Sequence, residues 1–190
     1  MALDSETRWR LARRAKAEKA EDAKGETVVR AARESDLAQV LDIYNYYVKN
    51  SVVTFDVELL KLEDWAEKFR WLQSLEMPFL VAESPNGQIL GFAYVAPWRQ
   101  KAAYRRTVED SIYLRPAAIG KRIGSNLMEA LIEQSKKAGV KEIVAVISDK
   151  GAETSIALHE SYGFVSQGHL AKVGYKFGRW LGTVLLQKSL

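Results

Sequence analysis

Cysteine is missing from this sequence altogether. Its absence excludes disulfides, thiolate catalysis and cysteine-based metal sites. Histidine is scarce as well, with only His159 and His169, ten residues apart. That supply argues against a zinc centre, and no metal is expected. No apolar run approaches the roughly 18 residues needed to cross a bilayer. Residues 1–26 are charged throughout and lack the apolar heart of a secretory signal, so the chain is expected in the cytoplasm, with no membrane partner. The two common nucleotide fingerprints, G-x-x-x-x-G-K-[ST] and G-x-G-x-x-G, are absent too.

What is present suits one soluble domain. The chain has 190 residues, 47% hydrophobic and 27% charged, enough to bury a sizeable core. Its net charge of +4 permits a nucleic-acid partner, but the cations are interspersed with acids and suit a CoA or nucleotide ligand equally well. Residues 1–26, rich in Ala, Lys, Arg and Glu, read as a charged helical or flexible extension, and residues 27–190 as the compact domain.

Periodicity then lays out the elements. "TVVRAA" is a strand, and Ser35 is placed to cap a helix carrying Leu37, Val40, Leu41, Tyr44, Tyr47 and Val48 on its apolar face. A second helix turns Leu62, Trp65, Phe69 and Leu72 to one side. "PFLVAES" and "QILGFAYVAP" flank the turn signal "PNG". "RTVEDSIYL" is a strand whose alternation turns Val108, Asp110 and Ile112 one way and Glu109, Ser111 and Tyr113 the other. A helix with Ile123, Leu127, Leu131 and Ile132 stops at Gly139, and "KEIVAVIS" reads as a strand buried on both faces. A helix over "TSIALHESYGF" and strands "FVSQGHL" and "RWLGTVLLQKSL" complete the order β-α-α-β-β-β-α-β-α-β-β. The class is α/β (α+β), a mixed sheet with helices on both faces.

The stretch "RPAAIGKRIGSNLM", Arg115 to Met128, lies between a strand and a helix and holds two glycines with two cations between them. A helix N-terminus with free N–H groups suits a pyrophosphate. On spacing alone, a plain helix entry with a turn glycine fits as well.

Six ordered segments carry a resemblance: "IYNYYV", "TFDVE", "APWRQKAAYRRTVEDSIYL", "IGKRIGSNL", "ALHESYGF" and "VGYKFGRW". Residues 28–188 resemble the GNAT N-acetyltransferase superfamily, and within it the phosphinothricin N-acetyltransferase and L-amino-acid N-acyltransferase subfamily. The resemblance implies a GNAT fold, acetyl-CoA as co-substrate, a small amino acid or analogue as acceptor, and a homodimer. It implies that Gly120, Lys121, Arg122, Ile123, Gly124 and Ser125 cradle the pyrophosphate, and that the main chain of Ile112, Tyr113 and Leu114 pairs with the pantetheine arm. The family's Gln/Arg-x-x-Gly-x-Gly/Ala pattern is broken here by Ile119 and Arg122, and its usual pantetheine-contacting Asn falls at Ala152.

The resemblance also implies Glu109 as the base that frees the amine, with a solvent-facing strand-end glutamate as the plain alternative. His159 is implied as the acid that returns a proton to sulfur, with packing beside Leu158 and Tyr162 as its alternative. Arg99, Lys101 and Tyr104 match an acceptor-binding segment; Phe55 and Tyr113 would wall the pocket, with Val173, Tyr175 and Lys176 nearby. With no cysteine to carry an acyl group, direct attack in a ternary complex is expected. The alternatives are an N-acetyltransferase for another amine (a polyamine, a protein N-terminus or an aminoglycoside), or a CoA-binding module that has lost catalysis.

Overall fold

The computed structural model describes residues 25–190, so the expected N-terminal extension lies outside the described residues but for its last two. The elements are β1 (Val28–Ala31), α1 (Leu37–Asn50), α2 (Leu62–Ser74), β2 (Phe79–Glu83), β3 (Ile89–Pro97), β4 (Thr107–Leu114), α3 (Ile123–Lys137), β5 (Glu142–Ser148), α4 (Glu153–Ser161), β6 (Val165–Lys176) and β7 (Arg179–Ser189). Their order is the one read from the sequence. They form one open seven-stranded sheet, β1-β2-β3-β4-β5-β7-β6, with antiparallel neighbours except for the parallel pair β4–β5.

Strand alternation feeds two cores. Val81, Phe92 and Tyr94 face α1 and α2, meeting Leu37, Val40, Ile43, Trp65, Phe69 and Leu72. Leu80, Ala82, Ala93, Val95 and Val108 turn the other way, onto Ile123, Leu127, Met128 and Leu131 of α3. Burial on both faces is why "FLVA" and "IVAVI" are continuous apolar runs rather than alternating ones.

Two local expectations change. Ser35 does not cap α1: it lies inside a 3₁₀ turn, Glu34–Asp36, and α1 starts at Leu37. The side chain used there is Asp36, whose carboxylate accepts the Arg33 N–H at 2.8 Å and pairs with Arg30 at 2.7 Å. Strand β6 runs six residues beyond Leu170, to Lys176. Irregular pairing between Ser166 and Gly168 and between Leu170 and Gly174 breaks the alternation that would have revealed it. Phe177 and Gly178 then turn the chain with φ of 50° and 74°, the paired left-handed conformation of a tight hairpin.

Candidate active site

Strands β4 and β5 run side by side for only three residue pairs, ending at Glu109 opposite Val144. Beyond that point each keeps its outer partner: β4 pairs with β3 as far as Leu114 opposite Gly91, and β5 with β7 as far as Ser148 opposite Thr183. The inner edges part, and a cleft of about 290 Å³ opens between them. Its walls are Glu109 to Leu114 from β4, Ala145 to Ile147 from β5, Ile119 in the loop before α3 and Gly124 in its first turn, Thr154, Ser155, Leu158 and His159 of α4, and Tyr47 from α1.

The direction of the β4 main chain decides what this edge offers. Trp98 donates to the Thr107 carbonyl and Arg115 donates to the Leu90 carbonyl, so odd-numbered residues face β3. Lys141 donates to the Arg106 carbonyl, so even-numbered ones face β5. Ile112 and Leu114 therefore present N–H and C=O groups to the cleft. Tyr113 does not, because its main-chain groups are spent on Phe92, which corrects the expectation that it too would pair with a pantetheine arm. The Tyr113 ring still lines the cleft, packed edge-on against Tyr44 with centroids 5.1 Å apart. Tyr47 donates its hydroxyl proton to the Leu114 carbonyl at 2.6 Å.

Glu109 sits half-buried where the strands divide, and its carboxylate makes no hydrogen bond among the described residues. Burial pushes its pKa up, with the charge of Asp110 adding, while Arg99 and Lys68 pull it down. On the opposite face, Asp110 and His159 are both buried and meet at 2.9 Å through Oδ2 and Nε2. The other ring nitrogen, Nδ1, donates to the Ser155 carbonyl at 2.7 Å. Both nitrogens of His159 are thus engaged inside the protein, although the residue lines the cleft.

The loop into α3 turns through two left-handed residues, Gly120 at φ 79° and Arg122 at φ 63°. The first-turn N–H groups of Ile123, Gly124 and Ser125 have no intrahelical acceptor. Lys121 and Arg122 are exposed beside them, which fits a phosphate-bearing ligand entering from that end. Gly124 is held close: a Cβ there would touch Leu114 and Leu158 at 3.5 Å. Among the described residues no group of three or more His, Cys, Asp or Glu could hold a metal ion, and no helix is long and apolar enough to cross a membrane.

Arg99, Lys101 and Tyr104 gather in a separate concavity with Trp71 and Trp98, next to the Glu109 end of β4. The Arg99 guanidinium lies 4.9 Å from the Trp98 ring centroid. The ring of Phe55 lies against Gly174 of β6, where any Cβ would overlap it. Two residues on, buried Lys176 donates to the Thr54 carbonyl at 2.8 Å. These two contacts clamp the Val53–Asp56 segment to the β6–β7 hairpin. Val173 and Tyr175 instead point to solvent, Tyr175 resting edge-on against Trp180. Neither lines the cleft.

The model of the acetyltransferase (GNAT) domain family matches residues 29–185. The chain belongs to the GNAT acetyltransferase family. It is 38% identical over 164 residues to phosphinothricin N-acetyltransferase of Alcaligenes faecalis, covering 85% of this chain and 82% of that one. It is 37% identical to the L-methionine sulfoximine/L-methionine sulfone acetyltransferase of Pseudomonas aeruginosa, covering 85% and 94%. A GNAT superfamily phosphinothricin acetyltransferase from Sinorhizobium meliloti, solved in complex with acetyl-CoA, superposes with a TM-score of 0.82 at 38% identity, over 86% of this chain and 88% of that one.

In this GNAT chain the structure brings Glu109, Ile112, Tyr113, Leu114, Gly124 and His159 to one cleft and keeps the Arg99 group just outside it. Four residues at the site were not singled out from sequence. Tyr47 looked like a core position of α1, and Ser111 carries no motif of its own. Lys68, which donates to the Tyr94 hydroxyl at 3.2 Å, belongs to no sequence motif. Asp110 stands next to Glu109 in the strand segment and carries no role of its own there. Its alternation away from Glu109 was the available signal.

Proposed function

We propose that this chain transfers the acetyl group of acetyl-CoA to the α-amine of a small amino acid or analogue, by direct attack within a ternary complex. The observation that carries the reading is Glu109: a half-buried carboxylate without a hydrogen-bonding partner among the described residues, at the point where β4 and β5 divide. Relatives named for phosphinothricin and for methionine sulfoximine support the acceptor class.

Each part of the site then has a task. The α3 N-terminus with Gly120, Lys121, Arg122, Ile123, Gly124 and Ser125 holds the pyrophosphate. The inner edge of β4, at Ile112 and Leu114, pairs with the pantetheine amides as an added strand would, and leaves an N–H for the tetrahedral oxyanion. Arg99, Lys101 and Tyr104 receive the acceptor's acidic groups, with Phe55 and Tyr113 as walls and Lys176 fixing the loop that carries Phe55. Glu109 removes the ammonium proton, directly or through a water, so that the nitrogen lone pair can attack. A thiol of pKa about 8.5 is a fair leaving group. His159, with both nitrogens engaged, is assigned to holding the site rather than to protonating sulfur.

A homodimer is part of the proposal. Among the described residues the outer strand β6 has no neighbour beyond it, and it exposes Val165, Leu170, Val173 and Tyr175, the kind of edge that a second copy would cover.

The deciding experiment is thiol release from acetyl-CoA with the twenty amino acids, phosphinothricin and methionine sulfoximine as acceptors. Release with one or more of them is expected. Tight acetyl-CoA binding with no release across the panel would replace the enzyme by a binding module.

A further inference from the structure

The parallel ladder between β4 and β5 gives out at Glu109, and the very next residue is Asp110. Its side chain is 1% exposed and that of His159 3%. One carboxylate oxygen meets Nε2 at 2.9 Å. Because Nδ1 donates to the Ser155 carbonyl at 2.7 Å, an ionised Asp110 requires the ring to carry protons on both nitrogens. The Phe164 ring stands edge-on to the imidazole at 4.9 Å and fixes its plane.

Helix α4, which carries His159, follows β5 directly. The pair therefore bridges the two sides of the cleft at the point where the parallel ladder ends. We propose that Asp110 and His159 form a positioning pair that sets the width of the β4–β5 gap, and with it the placement of the thioester relative to an amine deprotonated by Glu109. This inference rests on the acetyl-transfer reading given above.

A requirement of the fold alone would not select this arrangement. Apolar side chains of similar volume are often at least as stabilising as a buried ion pair, whose desolvation offsets much of its attraction. Here the second Asp110 oxygen, Oδ1, is also buried without a partner among the described residues, which is destabilising. What a charged, hydrogen-bonded pair supplies beyond apolar packing is a fixed distance and orientation. Burial pushes the His159 pKa down, but the Asp110 hydrogen bond and charge and the Ser155 carbonyl outweigh it, and the net direction is up. The other ionisable group beside the pair is Glu109 on β4; β5 turns only Ala145, Val146 and Ile147 to the cleft.

The test compares Asp110→Ala with Asp110→Asn. The alanine variant removes the bridge, and a misplacement of about 1 Å can lower the rate about 10²-fold. Its kcat is expected to drop by that order, with weaker acetyl-CoA binding measured by calorimetry. The asparagine variant keeps a bridge, since its amide N–H can donate to the lone pair of a neutral ring, and is expected to recover most of kcat and affinity. The pH profile separates positioning from mere packing. In the parent, loss of the Nε2 proton sets a lone pair against a carboxylate, so activity falls on the alkaline side; in Asp110→Asn that limb disappears.

Parent-like kcat in folded Asp110→Ala, or an alkaline limb unchanged in Asp110→Asn, overturns the proposal. Should Asp110→Ala not fold, the pH profile of Asp110→Asn decides alone. If the parent acetylates no amine at all, the acetyl-transfer reading fails, and the pair is judged by acetyl-CoA affinity, which Asp110→Ala lowers and Asp110→Asn leaves intact.

Discussion

Replacing Glu109 by glutamine changes one property of the site and little else. The amide has the shape of the carboxylate but cannot accept a proton at neutral pH. No hydrogen bond among the described residues is lost with it, and the half-buried position at the end of the β4–β5 ladder is kept. A positioned general base contributes about 10²- to 10⁴-fold. Expressed as a barrier, that is roughly 2.7 to 5.5 kcal/mol at about 1.36 kcal/mol per decade. The kcat of Glu109→Gln is therefore expected to fall within that range, while the acetyl-CoA Michaelis constant stays nearly constant because its proposed contacts are with main chain and α3. The pKa direction supplies two signs. Burial, aided by Asp110, raises the Glu109 pKa, so the acid limb of kcat/KM should lie above the ordinary glutamate range and vanish in the variant. A carboxyl whose folded pKa is raised destabilises the fold once pH exceeds its unfolded pKa, because the folded state disfavours the charge. Glu109→Gln should then melt no lower than the parent at pH 7. Stopped-flow thiol release and calorimetric melting read the two quantities. An unchanged kcat removes Glu109 from the chemistry, and a fall in kcat matched by a fall in melting temperature reassigns it to the fold.

Lys68 pulls the Glu109 pKa down from its seat over the Trp65 and Tyr94 rings, so Lys68→Met should move the acid limb of kcat/KM to higher pH; an unmoved limb refutes the coupling. A Cβ at Gly174 overlaps Phe55, so Gly174→Ala is expected to cost about 1–3 kcal/mol in denaturant unfolding and to raise the acceptor's Michaelis constant more than that of acetyl-CoA. Arg122 holds φ 63° and ψ 3°; relief of about 1–2 kcal/mol of left-handed strain, less the 0.5–1 that glycine loses in entropy, should make Arg122→Gly melt a few degrees higher. Amide exchange should show Ile112 and Leu114 becoming protected on acetyl-CoA addition while Tyr113, bonded to β3, is protected already.

Local pattern made the element order legible, and alternation along "TVEDSIYL" placed Glu109 and Asp110 on opposite faces before any contact was known. What the sequence could not display are contacts between distant segments. His159 finds Asp110 49 residues away, and Tyr47 finds the Leu114 carbonyl 67 residues away. No periodicity encodes either pairing. The edge addressed by the Tyr113 main chain is illegible for a related reason: side-chain alternation says which face a residue occupies, but not which edge its N–H and C=O address until the β3 register is fixed. At Ser35 the expected cap is absorbed into the 3₁₀ turn, where Asp36 binds Arg30 and the Arg33 N–H and makes no cap hydrogen bond to α1.

The cleft follows from how the chain must be connected. A parallel neighbour for β4 requires a crossover, here through α3, whereas β3 and β7 can lie antiparallel and pair at full length. The outer ladders to β3 and β7 hold β4 and β5 from their far sides, and one shared core packs Val108 with Ile143, Ala145 and Ile147, so the three-pair inner ladder can end without unfolding either strand. An unpaired inner edge is normally a hazard, since it invites another strand. In this chain it is recessed between α1 and α4; Tyr47 already covers the Leu114 carbonyl, and the groups left free belong to Ile112 and Leu114. An extended ligand bearing amides can satisfy them as a strand would. The interruption in the sheet and the proposed co-substrate site are therefore one feature, and any substitution that closes the first should abolish the second.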